Sequence, residues 1–276
     1  MFKKAYVEIS DVCGLTCSFC PAPKGRRGLM DLGLFEKICF ELRGRCERMA
    51  LHILGDPLKN KKFLQYLSIA SKFQHKIEIV TSGYYLSLWD FEILLSSPIE
   101  QVNLSLSAYT DQNNPKFENY LQNCLDFAHF HQKLSSSCFL NLRMHKSRLD
   151  LELAKKICQS FGVKCEFIGS RVRLGRYLFL RLSKDFEWID CSSEQLNEQK
   201  SCYGLLHQIG FLSNGKVVPC CIDCDGVIEL GDIVRQSLDE ILSSSLSQNI
   251  IRGFRMNLAY HPHCQRCTYV SKKDMD

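Results

Sequence analysis

The chain has 276 residues, 45% hydrophobic and 24% charged, with a formal net charge of +5 at pH 7. That length can bury a full core with a small appendage, and the composition excludes a disordered or fibrous chain. The mild basic excess suits an anionic ligand but does not by itself argue for nucleic acid. No apolar run approaches a membrane span and "MFKKAYVEIS" lacks the apolar core of a signal peptide, so a cytoplasmic protein with no membrane partner is expected.

In chain order, short β-rich runs alternate with longer amphipathic segments as far as Ile168. The expected strands are Tyr6–Ile9, Met49–Leu54, Ile77–Thr81, Gln101–Ser107, Phe139–Met144 and Cys165–Ile168. Helices are expected to begin near Asp31, Lys61, Leu86, Pro115 and Leu149, with Asp31 placed as an N-cap and Pro115 in a first turn. In "DLGLFEKICFEL" the apolar residues Leu34, Phe35, Ile38, Cys39 and Leu42 recur at helical spacing. Six strands alternating with helices imply an α/β protein built on a parallel sheet, whose sites collect at the C-terminal ends of the strands. The expected division is a core over 1–170, a linker over 171–200 and a small cysteine-rich domain over 201–276. The linker opens with Arg171, Arg173, Arg176 and Arg181, which could bind phosphate or carboxylate or could be a solvated connector. In the last segment "LHQIGFLSNGKVVPCC" reads as a hairpin turning at Ser213-Asn214-Gly215.

The sixteen cysteines are far too many for an ordinary chain without an export signal, and metal ligation or catalysis explains them better than disulfides. Seven are scattered singly, Cys39, Cys46, Cys124, Cys138, Cys158, Cys165 and Cys191, and read as small buried hydrophobes. Nine cluster near the chain ends. Cys13, Cys17 and Cys20 are spaced C-x3-C-x2-C in the loop after the first strand. Three thiolates can hold three irons of a cubane [4Fe–4S] cluster and leave the fourth iron open for a non-protein ligand. A zinc site completed by a distant residue is the alternative.

This triplet, with Phe19 just before its last cysteine, resembles the signature of the radical S-adenosylmethionine (SAM) superfamily. The resemblance implies a partial (βα)6 TIM-like barrel whose cluster binds SAM through its free iron. Electron transfer would then yield methionine and a 5′-deoxyadenosyl radical that abstracts hydrogen from an organic substrate. Further segments match in order. Gly55-Asp56-Pro57 resembles the family's G-G-E-P motif, which meets the SAM ammonium, although Leu54 replaces its first glycine and Asp56 its glutamate. "IVTSGYYL" resembles the T-N-G turn, with Ser82 in place of asparagine. "VNLSLSA" resembles the fourth-strand segment whose serine approaches SAM, which makes Ser105 and then Ser107 the candidates. Arg143 resembles arginines that pair with the SAM carboxylate. An electron donor of the flavodoxin or ferredoxin type is implied as a partner.

Cys202-x12-Gly215-x4-Cys220 resembles the opening of the SPASM and twitch domains, and Cys264-x2-Cys267 adds two more thiols. The resemblance implies one auxiliary [4Fe–4S] cluster on Cys202, Cys220, Cys264 and Cys267, with Cys221 and Cys224 as bystanders. The layout is closest to the twitch domain of an inosamine dehydrogenase, and it lacks the Gly-Gly tail expected of a molybdopterin-precursor cyclase. The resemblance implies a small-molecule or peptide substrate that is oxidised or rearranged. Because Cys13 falls so early, no peptide-recognition domain is expected before it. The competing reading is a non-catalytic zinc or iron–sulfur protein that binds a partner or RNA, so nucleic acid is not excluded.

Overall fold

A computed structural model describes residues 1–21, 27–108, 116–184, 188 and 196–269. Pro115, Cys191 and most of "PKGRRG" lie outside the described residues. The core is one ten-stranded sheet. Its parallel part comprises β1 (Lys4–Val7), β2 (Met49–Ala50), β3 (Ile77–Thr81), β4 (Ile99–Ser105) and β5 (Phe139–His145). Five helices alternate with them: α1 (Leu32–Leu42), α2 (Phe63–Lys72), α3 (Phe91–Leu94), α4 (Lys116–Leu134) and α5 (Leu151–Ser160). Asp31 caps α1 as expected, its carboxylate accepting from the backbone of Gly33 and Leu34.

Period-two alternation explains why these strands make a two-sided sheet. One set of side chains, including Val7, Met49, Ile79, Leu104 and Leu142, is fully or almost fully buried against the apolar stripes of the helices. Each such side chain contributes roughly 1.5–3 kcal/mol on burial. The alternate set faces the lumen and is polar: Lys4, Glu78, Gln101, Asn103, Asn141 and Arg143. Glu78 accepts from Lys4 at 2.7 Å and Asn103 at 3.1 Å, and Asn141 donates to Asn103 at 2.9 Å. Burial pushes the Glu78 carboxyl up, but Lys4, His52 and Arg48 outweigh it and hold the group below its usual range.

The sixth parallel strand is not Cys165–Ile168. That stretch makes only an isolated bridge from Ile168, which is 84% exposed, to Arg171. The segment expected as a linker instead supplies an antiparallel hairpin of β6 (Arg171–Gly175) and β7 (Leu178–Ser183). β7 pairs in parallel with β5 over Leu140–His145. Leu178 and Leu180 sit on the buried face, the alternation expected of a half-buried strand.

The C-terminal segment is joined to the core by the same sheet. In it, β8 (Gln208–Phe211), β9 (Lys216–Val218) and β10 (Gly231–Asp232) form an antiparallel extension, with β8 laid parallel to β1. The β8–β9 turn is the expected one, and Gly215 adopts a φ of +92°, accessible to glycine without strain. Helices α6 (Leu238–Ser243), α7 (Ser245–Arg255) and α8 (Pro262–Arg266) follow. Among the described residues, no helix is long and apolar enough to cross a membrane.

Candidate functional site

The loop leaving β1 carries Cys13, Cys17 and Cys20 to the C-terminal end of the parallel strands, and several bonds hold it there. The Asp11 carboxylate accepts from the backbone of Arg27 at 2.6 Å and Gly28 at 2.9 Å, closing the loop at its base. Arg27 forms a bidentate pair with Glu8, both contacts 2.8 Å, and Glu8 is fully buried. Glu8 also accepts from the backbone of Leu54 after β2 and of Ser213 in the β8–β9 turn. One carboxylate therefore joins the cysteine loop, the core and the C-terminal hairpin.

Gly55, at φ +74°, lies under this loop, and a Cβ there would stand 2.2 Å from the Ser10 carbonyl oxygen. Asp56 is 1% exposed, and its oxygens accept from Thr81 Oγ1, Ser82 N, Ser82 Oγ and Leu58 N at 2.6–3.0 Å. Burial raises its pKa, partly offset by the Ser82 and Thr81 bonds. Asp56 and Ser82 thus bind each other and fasten the ends of β2 and β3. The Asp56 charge still reaches the site, since it opposes ionisation of both Cys13 and Cys17. Pro57 opens the short 3₁₀ turn that follows and is buried.

The three cysteines line a cavity of about 470 Å³ together with Phe19, Gly55, Asp56, Ser82, Ser105 and Arg143. Burial raises all three thiols, Cys13 to about 11, and each opposes ionisation of a neighbour in the set. All three thiols line the same cavity. Lys59 and Arg148 oppose the trend at Cys13 and Cys17 respectively, so cations stand where anionic thiolates would be formed. The set therefore fits a thiolate-ligated iron–sulfur cluster, whose binding would deprotonate the thiols. Among the described residues, no three acidic, histidine or cysteine side chains are grouped as ligands of a single metal ion.

Ser105 and Ser107 separate. Ser105 lines the cavity, whereas the Ser107 hydroxyl is buried and accepts from His145 N at 2.9 Å, supporting the end of β5. The Phe19 ring lies 4.7 Å from that of His145 with the Arg148 guanidinium 5.3 Å away, and its carbonyl accepts from Trp188 Nε1. Arg143 faces the cavity, its pKa lowered by burial despite Glu78.

Several lining residues escaped the sequence reading: Tyr6, His52, His145, Trp188 and Tyr269. Strand parity could have found Tyr6 and His145, which alternate with buried neighbours. His52 is held neutral by burial, its pKa lowered to about 4, and its Nδ1 is buried without a hydrogen-bond partner.

A second, smaller cavity is lined by Cys202, Cys220, Cys264 and Cys267, with Lys200 and Asp223. Cys202 opposes the ionisation of Cys220 and Cys264, and Cys267 opposes that of Cys202, across the cavity that all four line. Burial raises Cys264 to about 12. The buried Lys200 donates to the carbonyls of Cys264 and Cys267, a cation beside the thiols. His263 is buried against Asp223 at 3.7 Å, and His261 caps α8 by accepting from His263 N. Cys224 packs in a small apolar group with Ile53, Leu54, Leu212 and Val218. Cys221 lines the first cavity beside Tyr6, and burial raises its thiol to about 11. Consecutive residues, Cys220 and Cys221, thus open into the two cavities.

Residues 202–268 match the SPASM family, an iron–sulfur cluster-binding domain. No curated protein matches the chain. Among solved structures, BtrN in complex with AdoMet and 2-DOIA superposes with a TM-score of 0.64 at 17% identity, over 98% of this chain and 94% of that one. SuiB from Streptococcus suis bound to S-adenosylmethionine gives 0.60 at 16% identity, over 90% and 65%. Native anSMEcpe with bound AdoMet and Cp18Cys peptide gives 0.52 at 14% identity, over 96% and 86%. The chain therefore shares the fold of SAM-bound proteins along nearly its whole length.

Proposed function

We propose that this protein is a radical SAM enzyme that oxidises a small organic molecule, with one auxiliary cluster as electron acceptor. The adjacency of Cys220 and Cys221 carries the reading, because it sets one four-thiol cavity against the wall of the chamber that three further thiols line. A [4Fe–4S] cluster on Cys13, Cys17 and Cys20 would supply the reductive cleavage of SAM to methionine and a hydrogen-abstracting 5′-deoxyadenosyl radical. Within the chamber, Ser105 and Arg143 are available to SAM polar groups, with Arg143 suited to its carboxylate. Gly55 lets the backbone approach, Phe19 walls the cavity, and the Asp56 charge favours the cationic end of SAM without direct ligation. Pro57, Ser82 and Ser107 hold the surrounding turns. Cys202, Cys220, Cys264 and Cys267 would hold the auxiliary cluster, and a flavodoxin- or ferredoxin-type protein would deliver the initiating electron.

A cavity of about 470 Å³ must hold both SAM and substrate, which favours a small molecule over an extended peptide. BtrN, whose structure holds 2-DOIA beside AdoMet, is matched along almost all of this chain, which supports the same reading. The test is anaerobic iron, sulfide and zinc analysis of the reconstituted protein, followed by incubation with SAM and dithionite. The expected result is about eight irons per chain, with 5′-deoxyadenosine formed and its formation lost in Cys17→Ala. Zinc without labile sulfide, and intact SAM, would replace this reading with a metal-stabilised binding protein.

A further inference from the structure

The hairpin β6–β7 sorts the four arginines singled out in the sequence. Arg173 donates Nε to the Gly175 carbonyl at 3.3 Å, and the Arg176 guanidinium lies 5.2 Å from the Tyr177 ring centroid. Arg171 and Arg181 are placed otherwise. They are register partners across β6 and β7, and Arg181 is also the partner of Arg143 on β5. Three arginines therefore stand side by side on the lumen face of adjacent strands, with a strand spacing of about 4.8 Å. Like charges directly opposite oppose strand pairing, and Arg181 is one of the charges acting on Arg143.

A third guanidinium converges on Arg171 and Arg181 from across the lumen. Arg48, just before β2, donates Nη1 to Gln101 at 2.8 Å and lies 3.5 Å from Glu78, while its Nε is buried with no hydrogen-bond partner. Arg48, Arg171 and Arg181, with Gln101, Asn141 and Phe179, line a pocket of about 200 Å³. Among the described residues no carboxylate lines it. Glu78, outside the lining, pairs with Arg48 at 3.5 Å but also accepts from Lys4 and Asn103, which among the described residues leaves Arg171 and Arg181 to themselves in the pocket wall. Arg171 packs on the Phe179 ring, its guanidinium carbon 5.4 Å from the centroid. The pocket shares no lining residue with the cysteine chamber, from which the hydrogen-bonded belt Glu78–Asn103–Asn141 divides it.

We infer that this pocket at the foot of the lumen is a second ligand site, built for a phosphoryl group, either inorganic phosphate or the monoester of a small molecule. Three convergent guanidiniums match the several oxygens and double charge of a phosphoryl group, whereas a carboxylate has one charge and two oxygens and satisfies one fork. A dianion here also relieves the repulsion between Arg171 and Arg181.

The test is calorimetric titration of the full-length, anaerobically reconstituted protein with inorganic phosphate in the presence of SAM, at low ionic strength. One phosphate per chain is expected, bound more weakly as sodium chloride screens the arginines. Arg171→Gln and Arg181→Gln are each expected to weaken it about tenfold or more, the loss of one charge-assisted contact. Arg181→Lys should fall between, and Arg173→Gln, outside the pocket, should bind as the parent does. Glycerol phosphate in place of phosphate separates the two sources: tighter binding assigns the site to an ester, weaker binding to the free ion. Absent saturable phosphate binding, unchanged binding in Arg181→Gln, or acetate binding as tight as phosphate would each overturn the assignment. None of these readouts requires SAM turnover, so they stand apart from the test of the radical reaction.

Discussion

Arg27→Met probes how the cysteine loop is held. The substitution keeps an apolar stem but leaves Glu8 without its cation, and Glu8 is fully buried while the Arg27 side chain is only 12% exposed. Glu8 would retain only neutral donors, Leu54 N, Ser213 N and Ser213 Oγ, each at 3.2 Å. Removing one partner of a buried ion pair destabilises by about 3–5 kcal/mol, since the remaining charge stays desolvated. At roughly 2–4 °C per kcal/mol for a chain of this size class, the melting temperature should fall by about 6–20 °C. Replacing both partners, as in Glu8→Leu with Arg27→Met, should recover part of that loss because no charge is left buried. Thermal and urea unfolding followed by circular dichroism would measure both, with iron content after reconstitution reporting the loop. An Arg27→Met loss below about 1 kcal/mol, the value of an exposed pair, would refute the view that this pair ties loop, core and hairpin together.

Other consequences can be measured directly. Gly55→Ala should lower both thermal stability and iron content, because its Cβ meets the Ser10 carbonyl; Gly28→Ala, also at positive φ but with open space, should lose only about 1 kcal/mol, and equal effects would discount the contact. His52 is kept neutral by burial, aided by Lys4 and Arg143 and opposed by Glu78, with its pKa lowered to about 4. Its native value lies below its unfolded one, so the protein should lose stability as pH falls from 6.5 towards 4, by up to about 3 kcal/mol. His52→Gln should flatten that limb of a pH–stability curve, and an unchanged curve would place the acid sensitivity elsewhere. Cys202→Ala should reduce iron from about eight to about four per chain, while Cys221→Ala should leave it near eight; a loss of four irons in Cys221→Ala would make that thiol a ligand.

Local chemistry made much of this protein legible. The spacing of Cys13, Cys17 and Cys20, the turn at Gly215, the cap at Asp31 and the burial of isolated cysteines such as Cys39, Cys124 and Cys158 all depend on residues close in sequence or on side-chain type alone. The strand Leu178–Ser183 was legible in principle, since Leu178, Leu180 and Leu182 alternate, but Arg181 and the arginines just before it made it read as a connector. Other features depended on which distant groups meet. Asp56 was a carboxylate free to face a ligand until the fold set Thr81 and Ser82 against it. Ser105 and Ser107 are equivalent in sequence, yet the 3₁₀ turn after β4 leaves one in the chamber and hands the other to His145. Cys220 and Cys221 are neighbours that no spacing rule separates, and only the wall between two cavities sends them apart. Spacing along a chain determines which ligands can share a loop; which cavity a side chain enters is decided by strands paired far apart in the chain, from β4 with β5 to β1 with β8.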